Sequence, residues 1–204
     1  MSRTVTRVGP EDHGRRMSLQ EFEFAEGAEG YLYELSRGVV TVIDVPGNRH
    51  FLQVNEIRKQ LSAYEASHPG EIFSIASGND CRILLETLQS ERHPDWAIYK
   101  TKIPLAQDIW STWIPEIVIE VVSPSSKERD YVEKREEYLL FGVQEYWIFD
   151  ADKREMLVLK RSRGKWAEQL VRPPAVYCTH LLKGLEFQCA AVFEASDLAA
   201  ESGS

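Results

Sequence analysis

A chain of 204 residues with a formal net charge of −8 is long enough to bury the core of one domain, and too acidic to coat nucleic acid by bulk electrostatics. Its 43% hydrophobic and 27% charged composition is that of a soluble globular protein, and no apolar run approaches the ~20 residues a bilayer-spanning helix needs. The three cysteines, Cys81, Cys178 and Cys189, are odd in number and lack CxxC spacing, which argues against a disulfide framework and for ordinary reduced thiols.

Residues 1–16 are polar and aperiodic and are expected to form a mobile arm. They have no apolar stretch after their charges, so they do not read as a secretory signal, and cytoplasmic residence is the expectation. One domain is expected over 17–195, with a flexible tail at 196–204. Ser18 with Glu21 forms a capping-box pattern that opens a short helix through Phe22. YLYEL (31–35), the turn Ser36-Arg37-Gly38 and VVTVIDV (39–45) read as a β-hairpin ended by Pro46-Gly47-Asn48.

From Arg49 to Tyr64 the apolar positions Phe51, Val54, Ile57, Leu61 and Tyr64 recur at helical spacing and predict a helix packed on the core. EIFSIAS (71–77), CRILLE (81–86) and WAIY (96–99) read as strands, the last entered through His93-Pro94-Asp95. A loop over 101–112 leads into the buried strand IPEIVIEVVSP. Ser123-Pro124-Ser125-Ser126 stops that strand, and Ser125 with Glu128 predicts a capped helix to Phe141, with Gly142 as its left-handed C-terminal cap. EYWIFD (145–150) returns as a strand, followed by the hairpin MLVLKR, SRG, KWAEQLV. The strand–helix–strand order over 116–150 predicts a right-handed crossover within one sheet. The expected fold is therefore α/β, a mixed sheet flanked by helices with additional β-hairpins.

The chemistry begins on the strand at 116–122. Alternation puts Glu116, Val118, Glu120 and Val122 on one face, and both faces are mostly branched aliphatic, as in a strand covered on both sides. Glu120, with valines flanking it on its own face, must be protonated, paired or bound to a metal, because an isolated buried charge is very costly. Asp95 opens a neighbouring strand and can project from its edge. Two such carboxylates and the backbone carbonyl of Val121 are hard oxygen donors of the kind Mg²⁺ prefers, and phosphate hydrolysis also gains from a cation beside the developing charge.

The segments HPDWAIYK, PEIVIEVVSPSS and EKREEYLLFGVQEYWIFD resemble the Uma2 family of restriction-endonuclease-like proteins in the PD-(D/E)XK superfamily. The resemblance runs from YELSRGVV to GLEF near residue 187. It implies a restriction-endonuclease-like core and Mg²⁺-dependent DNA cleavage, with Mn²⁺ as a substitute, often by a homodimer. On it, Asp95 matches the aspartate of the PD half and Glu120 the acidic residue of the other half, the two forming the metal site. The superfamily's lysine would stand two residues beyond Glu120, where this chain has Val122. Lys134, in the EKR block of the following helix, matches the place from which a lysine takes over. It is either that residue or a solvated helix lysine pairing with Glu133 or Glu137.

Glu34 matches a further N-terminal acidic residue, with a metal-shell or a structural hydrogen-bonding role. Tyr138, one turn beyond Lys134, is expected to pack, and His50 to cap its helix or lie at the surface. The other histidines have no HxxxH or HxH spacing, which argues against a zinc enzyme. Trp110, Trp113 and Trp147 add aromatic area that would mark a dimer interface if exposed. Two functions from different classes are consistent with these residues: a Mg²⁺-dependent endonuclease acting on DNA, and a nuclease fold kept as an inactive DNA-binding or regulatory module. An RNA or branched-DNA substrate stays open.

Overall fold

The computed structural model describes residues 6–45, 47–106 and 108–201. Residues 1–5 of the expected arm, Pro46 at the hairpin end, Gln107 in the loop and residues 202–204 of the expected tail lie outside the described residues.

In chain order the elements are β1 (Arg7–Val8), α1 (Leu19–Glu23), β2 (Glu26–Gly27), β3 (Tyr31–Ser36), β4 (Val39–Asp44), α2 (Asn48–Ser67), β5 (Ser74–Ala76), β6 (Ile83–Leu85), β7 (Ser90–Arg92), β8 (Trp96–Tyr99) and β9 (Ile117–Val121). There follow α3 (Lys134–Phe141), β10 (Glu145–Asp150), β11 (Glu155–Ser162), β12 (Lys165–Val171), β13 (Val176–Tyr177), β14 (Phe187–Gln188) and α4 (Cys189–Glu201). A six-stranded sheet runs β12-β11-β10-β9-β8-β5 and a four-stranded one β4-β3-β7-β6. Strands β9 and β10 are parallel, as a crossover through α3 requires, and the other pairs of the large sheet are antiparallel.

Strand alternation divides the core. Ile117, Ile119 and Val121 of β9 join Trp147 and Phe149 of β10 in one apolar layer, closed by Ile57 and Leu61 of α2 and by Val192 and Phe193 of α4. Val118, Tyr146 and Ile148 point the other way, against Tyr138 of α3 and Ile83 and Leu85 of β6. The large sheet is thus covered on both faces, which is why its central strands read as continuous apolar runs. Phe51, expected in the core stripe of α2, is 62% exposed; the buried positions are Ile57, Leu61 and Tyr64, a stripe that starts one turn later.

Four further expectations are corrected. The described part of the N-terminal arm is held: Arg7–Val8 pairs with Glu26–Gly27, Gly14 N–H donates to Val40, and Val8 and Met17 are buried beside Leu19 and Leu35. A few apolar side chains in a polar stretch suffice for that. At the other end, α4 continues through the expected tail to Glu201, and its buried Ser196 accepts a hydrogen bond from Arg49 Nε at 2.6 Å. The helix after β9 begins at Lys127, so Ser126 rather than Ser125 stands at its entrance, where its Oγ accepts from Ser123 N–H at 2.8 Å. The tryptophans present no exposed aromatic face that would argue for a dimer, since Trp113 and Trp147 are buried and Trp110 is half-buried.

The turn after α3 depends on glycine. Gly142 has φ +111°, its N–H closes the helix onto Tyr138 O at 3.2 Å, and a Cβ there would meet Ile114 Cδ1 at 3.1 Å. Gly142→Ala is expected to cost about 1–3 kcal/mol, as strained left-handed backbone does, read as a lower chemical-denaturation midpoint.

Candidate active site

A cleft of about 290 Å³ opens at the end of β9, with Asp95, Glu120, Lys134, Asp130, Arg129 and His50 among its lining residues. Antiparallel pairing aligns Trp96 with Ile119, so Asp95, one residue before β8, continues the register opposite Glu120. The backbone fixes Asp95 directly, for its Oδ2 accepts Val121 N–H at 2.7 Å. Its Oδ1 takes a 2.9 Å hydrogen bond from His50 Nε2. The position of His50 at the start of α2 therefore aims it into the cleft, against the expectation of capping or surface exposure. Burial works against its protonation, but the Asp95 charge and hydrogen bond outweigh it and raise the imidazole pKa.

Lys134 reaches Glu120 from the opposite wall. Its Nζ donates to Glu120 Oε1 at 2.9 Å and lies 3.3 Å from Glu34 Oε1 and 3.5 Å from Asp130 Oδ1; only 3% of its side chain is exposed. The bland reading, a solvated lysine paired with Glu133 or Glu137, does not hold, because those two carboxylates bind Arg92 instead. Tyr138, expected only to pack, donates its hydroxyl to Glu120 Oε1 at 2.7 Å.

The helix entering α3 makes this convergence possible. Residues Arg129–Glu133 form a π-helical turn in which Lys134 N–H bonds to Arg129 O. An i→i+5 turn of this kind brings side chains five apart to one side, in addition to those four apart, and such turns recur at functional sites. Here it collects Arg129, Asp130 and Lys134 on the cleft.

A second layer supports the first. Arg92, wholly buried, binds Glu137 through Nε at 2.6 Å, Glu34 through Nη1 at 3.1 Å, and Ser36 and Glu133 through Nη2. Glu34 spends its other oxygen on His93 N–H at 3.2 Å, so both its oxygens are engaged by protein donors. Burial would raise the Glu34 carboxyl, yet Lys134, Arg92 and Arg129 together hold it down at about 2.

Glu120 behaves oppositely. Burial drives it up, Lys134 pulls it down, and Asp130, Asp95 and Glu34 add repulsion, leaving it raised to about 8. Burial also opposes the Lys134 charge, but the surrounding carboxylates keep its pKa above that of a free lysine. The lysine is therefore charged, and with Arg92 and Arg129 beside Glu34 as well, the cations of the cluster favour Glu34 over the other two carboxylates. The shortfall is left to Glu120 and to Asp130, whose carboxyl is raised by burial and whose buried Oδ1 accepts no hydrogen bond.

Sequence reasoning brought Asp95, Glu120, Lys134 and Glu34 forward, and the structure draws all four around one cleft. It passed over Arg92, Arg129 and Asp130. The i, i+4 spacing of Asp130 and Lys134 was the available signal for one of them. Arg92 offered none beyond its place before His93-Pro94-Asp95.

Among the described residues, no three His, Cys, Asp or Glu side chains stand together so as to hold an ion unaided. Glu120, a carboxyl crowded by neighbouring carboxylates, and a buried Asp130 oxygen that accepts no hydrogen bond are groups that a hard divalent cation would satisfy.

Comparison with known proteins bears on the chain as a whole. The sequence profile of the Uma2 family, described as "putative restriction endonuclease", matches residues 19–192. The chain also resembles in fold a crystal structure of a "putative nuclease belonging to DUF820" from Anabaena variabilis, with TM-score 0.71 and 17% identity over 88% of this chain and 99% of that one. No curated protein matches the sequence.

Two stability outcomes follow from the charges. Arg92→Gln would leave Glu34 and Glu137 buried with less compensation, and should cost about 3–5 kcal/mol in urea denaturation. Folded Glu120 keeps its proton to about pH 8, whereas an ordinary glutamate loses it near 4.5. Metal-free wild type should therefore lose stability as pH rises through that window. Glu120→Gln should remove this loss, giving a higher melting temperature than wild type above pH 8 and none of the gain near pH 4.5.

Proposed function

Since the chain belongs to the Uma2 family, we propose that it is a Mg²⁺-dependent endonuclease hydrolysing phosphodiester bonds of DNA in the cleft between Asp95 and Glu120. The observation that carries this reading is Glu120 itself, a carboxylate buried on the central strand with more negative charge around it than Lys134 offsets. Asp95 and Glu120 are the residues that would hold Mg²⁺, or Mn²⁺ in its place. When bound, such an ion polarises the phosphodiester and lowers the pKa of a coordinated water.

The protein groups have separate tasks. Val121 N–H and His50 orient Asp95, and Tyr138 together with Lys134 orients Glu120. Lys134 also keeps a positive charge where phosphate oxygens gain negative charge in the transition state, an effect that needs no reorganisation because the ammonium is already fixed. Glu34 and Arg92 hold the lysine's surroundings rather than touching substrate. Two copies would address the two strands of a duplex, and sedimentation would register them as a homodimer.

One observation favours the second reading, a DNA-binding or regulatory module without turnover: both oxygens of Asp95 are already occupied by protein donors. Calorimetry separates the two, since a folded protein that takes up no Mg²⁺ at millimolar concentration is the module. Under the nuclease reading, purified protein with Mg²⁺ nicks plasmid DNA, and Asp95→Ala or Glu120→Ala abolishes nicking. Lys134→Met is expected to slow it by about 10²–10³, the range seen when one electrostatic stabiliser is removed. Undiminished cleavage by the Asp95→Ala/Glu120→Ala double variant would overturn the assignment.

A further inference from the structure

The cations lining the cleft are not equivalent. Lys134 is shared by Glu120, Glu34 and Asp130. Arg49 is spent on Ser196 and Asp152, His50 on Asp95, and His93 on Glu91 and two backbone carbonyls. Arg129 differs. Among the described residues nothing accepts a hydrogen bond from its guanidinium; its Nε is buried without a partner and lies 3.6 Å from Glu34 Oε2, an ion pair without a hydrogen bond. Yet 13% of the side chain remains exposed where it lines the cleft.

Arg129 contributes charge to Glu34 at 3.6 Å but no hydrogen bond, because both Glu34 oxygens are already taken by Arg92 and by His93 N–H. A planar fork of donors, unspent and facing a cleft in a chain of net charge −8, is suited to an oxyanion that supplies the missing acceptors. We propose that Arg129 is the phosphate-binding residue of the cleft, its guanidinium taking the non-bridging oxygens of a nucleic-acid phosphodiester. This assignment rests on the nuclease reading and adds to it a residue that touches substrate. The π-helical turn explains its placement: the Lys134 N–H to Arg129 O bond sets the two cations side by side, Lys134 over the carboxylates and Arg129 toward the incoming strand.

The test is the salt dependence of binding to a short DNA duplex, followed by fluorescence anisotropy with Ca²⁺ in place of Mg²⁺ so that affinity is read without turnover. Each phosphate neutralised contributes about 0.9 to the slope of log K against log salt on B-DNA. Arg129→Gln should lower the wild-type slope by about that amount and weaken binding at low salt. Arg129→Lys, which keeps the charge and loses the fork, should keep the slope while binding more weakly. Lys165→Gln, at the first residue of β12, should bind as wild type does. Wild-type slope and affinity in folded Arg129→Gln would overturn the proposal; if that variant does not fold, wild-type affinity in Arg129→Lys does so. A wild type with no salt-dependent DNA binding overturns the nuclease reading itself, and this proposal with it. The two failures are told apart by whether the wild-type curve or only the variant's difference is lost.

Discussion

Lys134 is the point on which the site depends, because its ammonium is shared by Glu120, Glu34 and Asp130 inside the protein. Taking such a cluster of ionisable groups out of water costs more than a simple pair can return, and it persists only where nearly every remaining polar atom is satisfied. Tyr138 hydroxyl on Glu120, and His93 N–H and the Arg92 guanidinium on Glu34, are the satisfying groups. What is left over is concentrated on the cleft side, at Glu120 and Asp130. A core designed only for stability would have replaced these residues with aliphatic ones, as the neighbouring positions Val118 and Ile148 do.

Arg92 gives the smaller sheet its purpose. It ties Glu34 and Ser36 of β3 to Glu133 and Glu137 of the helix that carries the lysine. The hairpin β3–β4 therefore forms one wall of the cleft and sets the depth at which α3 lies against β9. The large sheet supplies Glu120, the smaller one supplies Glu34, and the helix between them supplies the cation that both require.

The fold was legible wherever burial is periodic. Central strands β9 and β10, the helical stretch from Lys127 to Phe141 and the β11–β12 hairpin have apolar positions at their own repeat, and their boundaries agree with the sequence to within a residue or two. Glu120 was legible for the complementary reason, as a charge interrupting an aliphatic face. Strand β7 was not, because Ser90-Glu91-Arg92 has no apolar alternation although all three residues are buried. Its side chains are buried by charge pairing, which leaves no hydrophobic pattern to read. Lys134 and Tyr138 could be placed on a helix face, but whether that face met water or Glu120 depended on how the helix enters, and no local rule specifies a π-helical turn. The structure gives no physical account of why these residues widen rather than continue in regular α-helix.

That widened turn also bears on how such a site can change over time. One residue more or fewer in a helix rotates everything beyond it by about 100°. Deleting a single residue between Glu128 and Lys134 would let the helix relax to an ordinary repeat while β9, α3 and the core contacts of Tyr138 stayed where they are. The side chains left within the turn would be re-spaced along the cleft, and Lys134 would remain at Glu120. A lineage can thus trade the substrate-facing edge of this site for another by a one-codon insertion or deletion, without disturbing the hydrophobic layers on which folding depends. Point substitution would have to reach the same end through intermediates that leave a charge buried and unpaired.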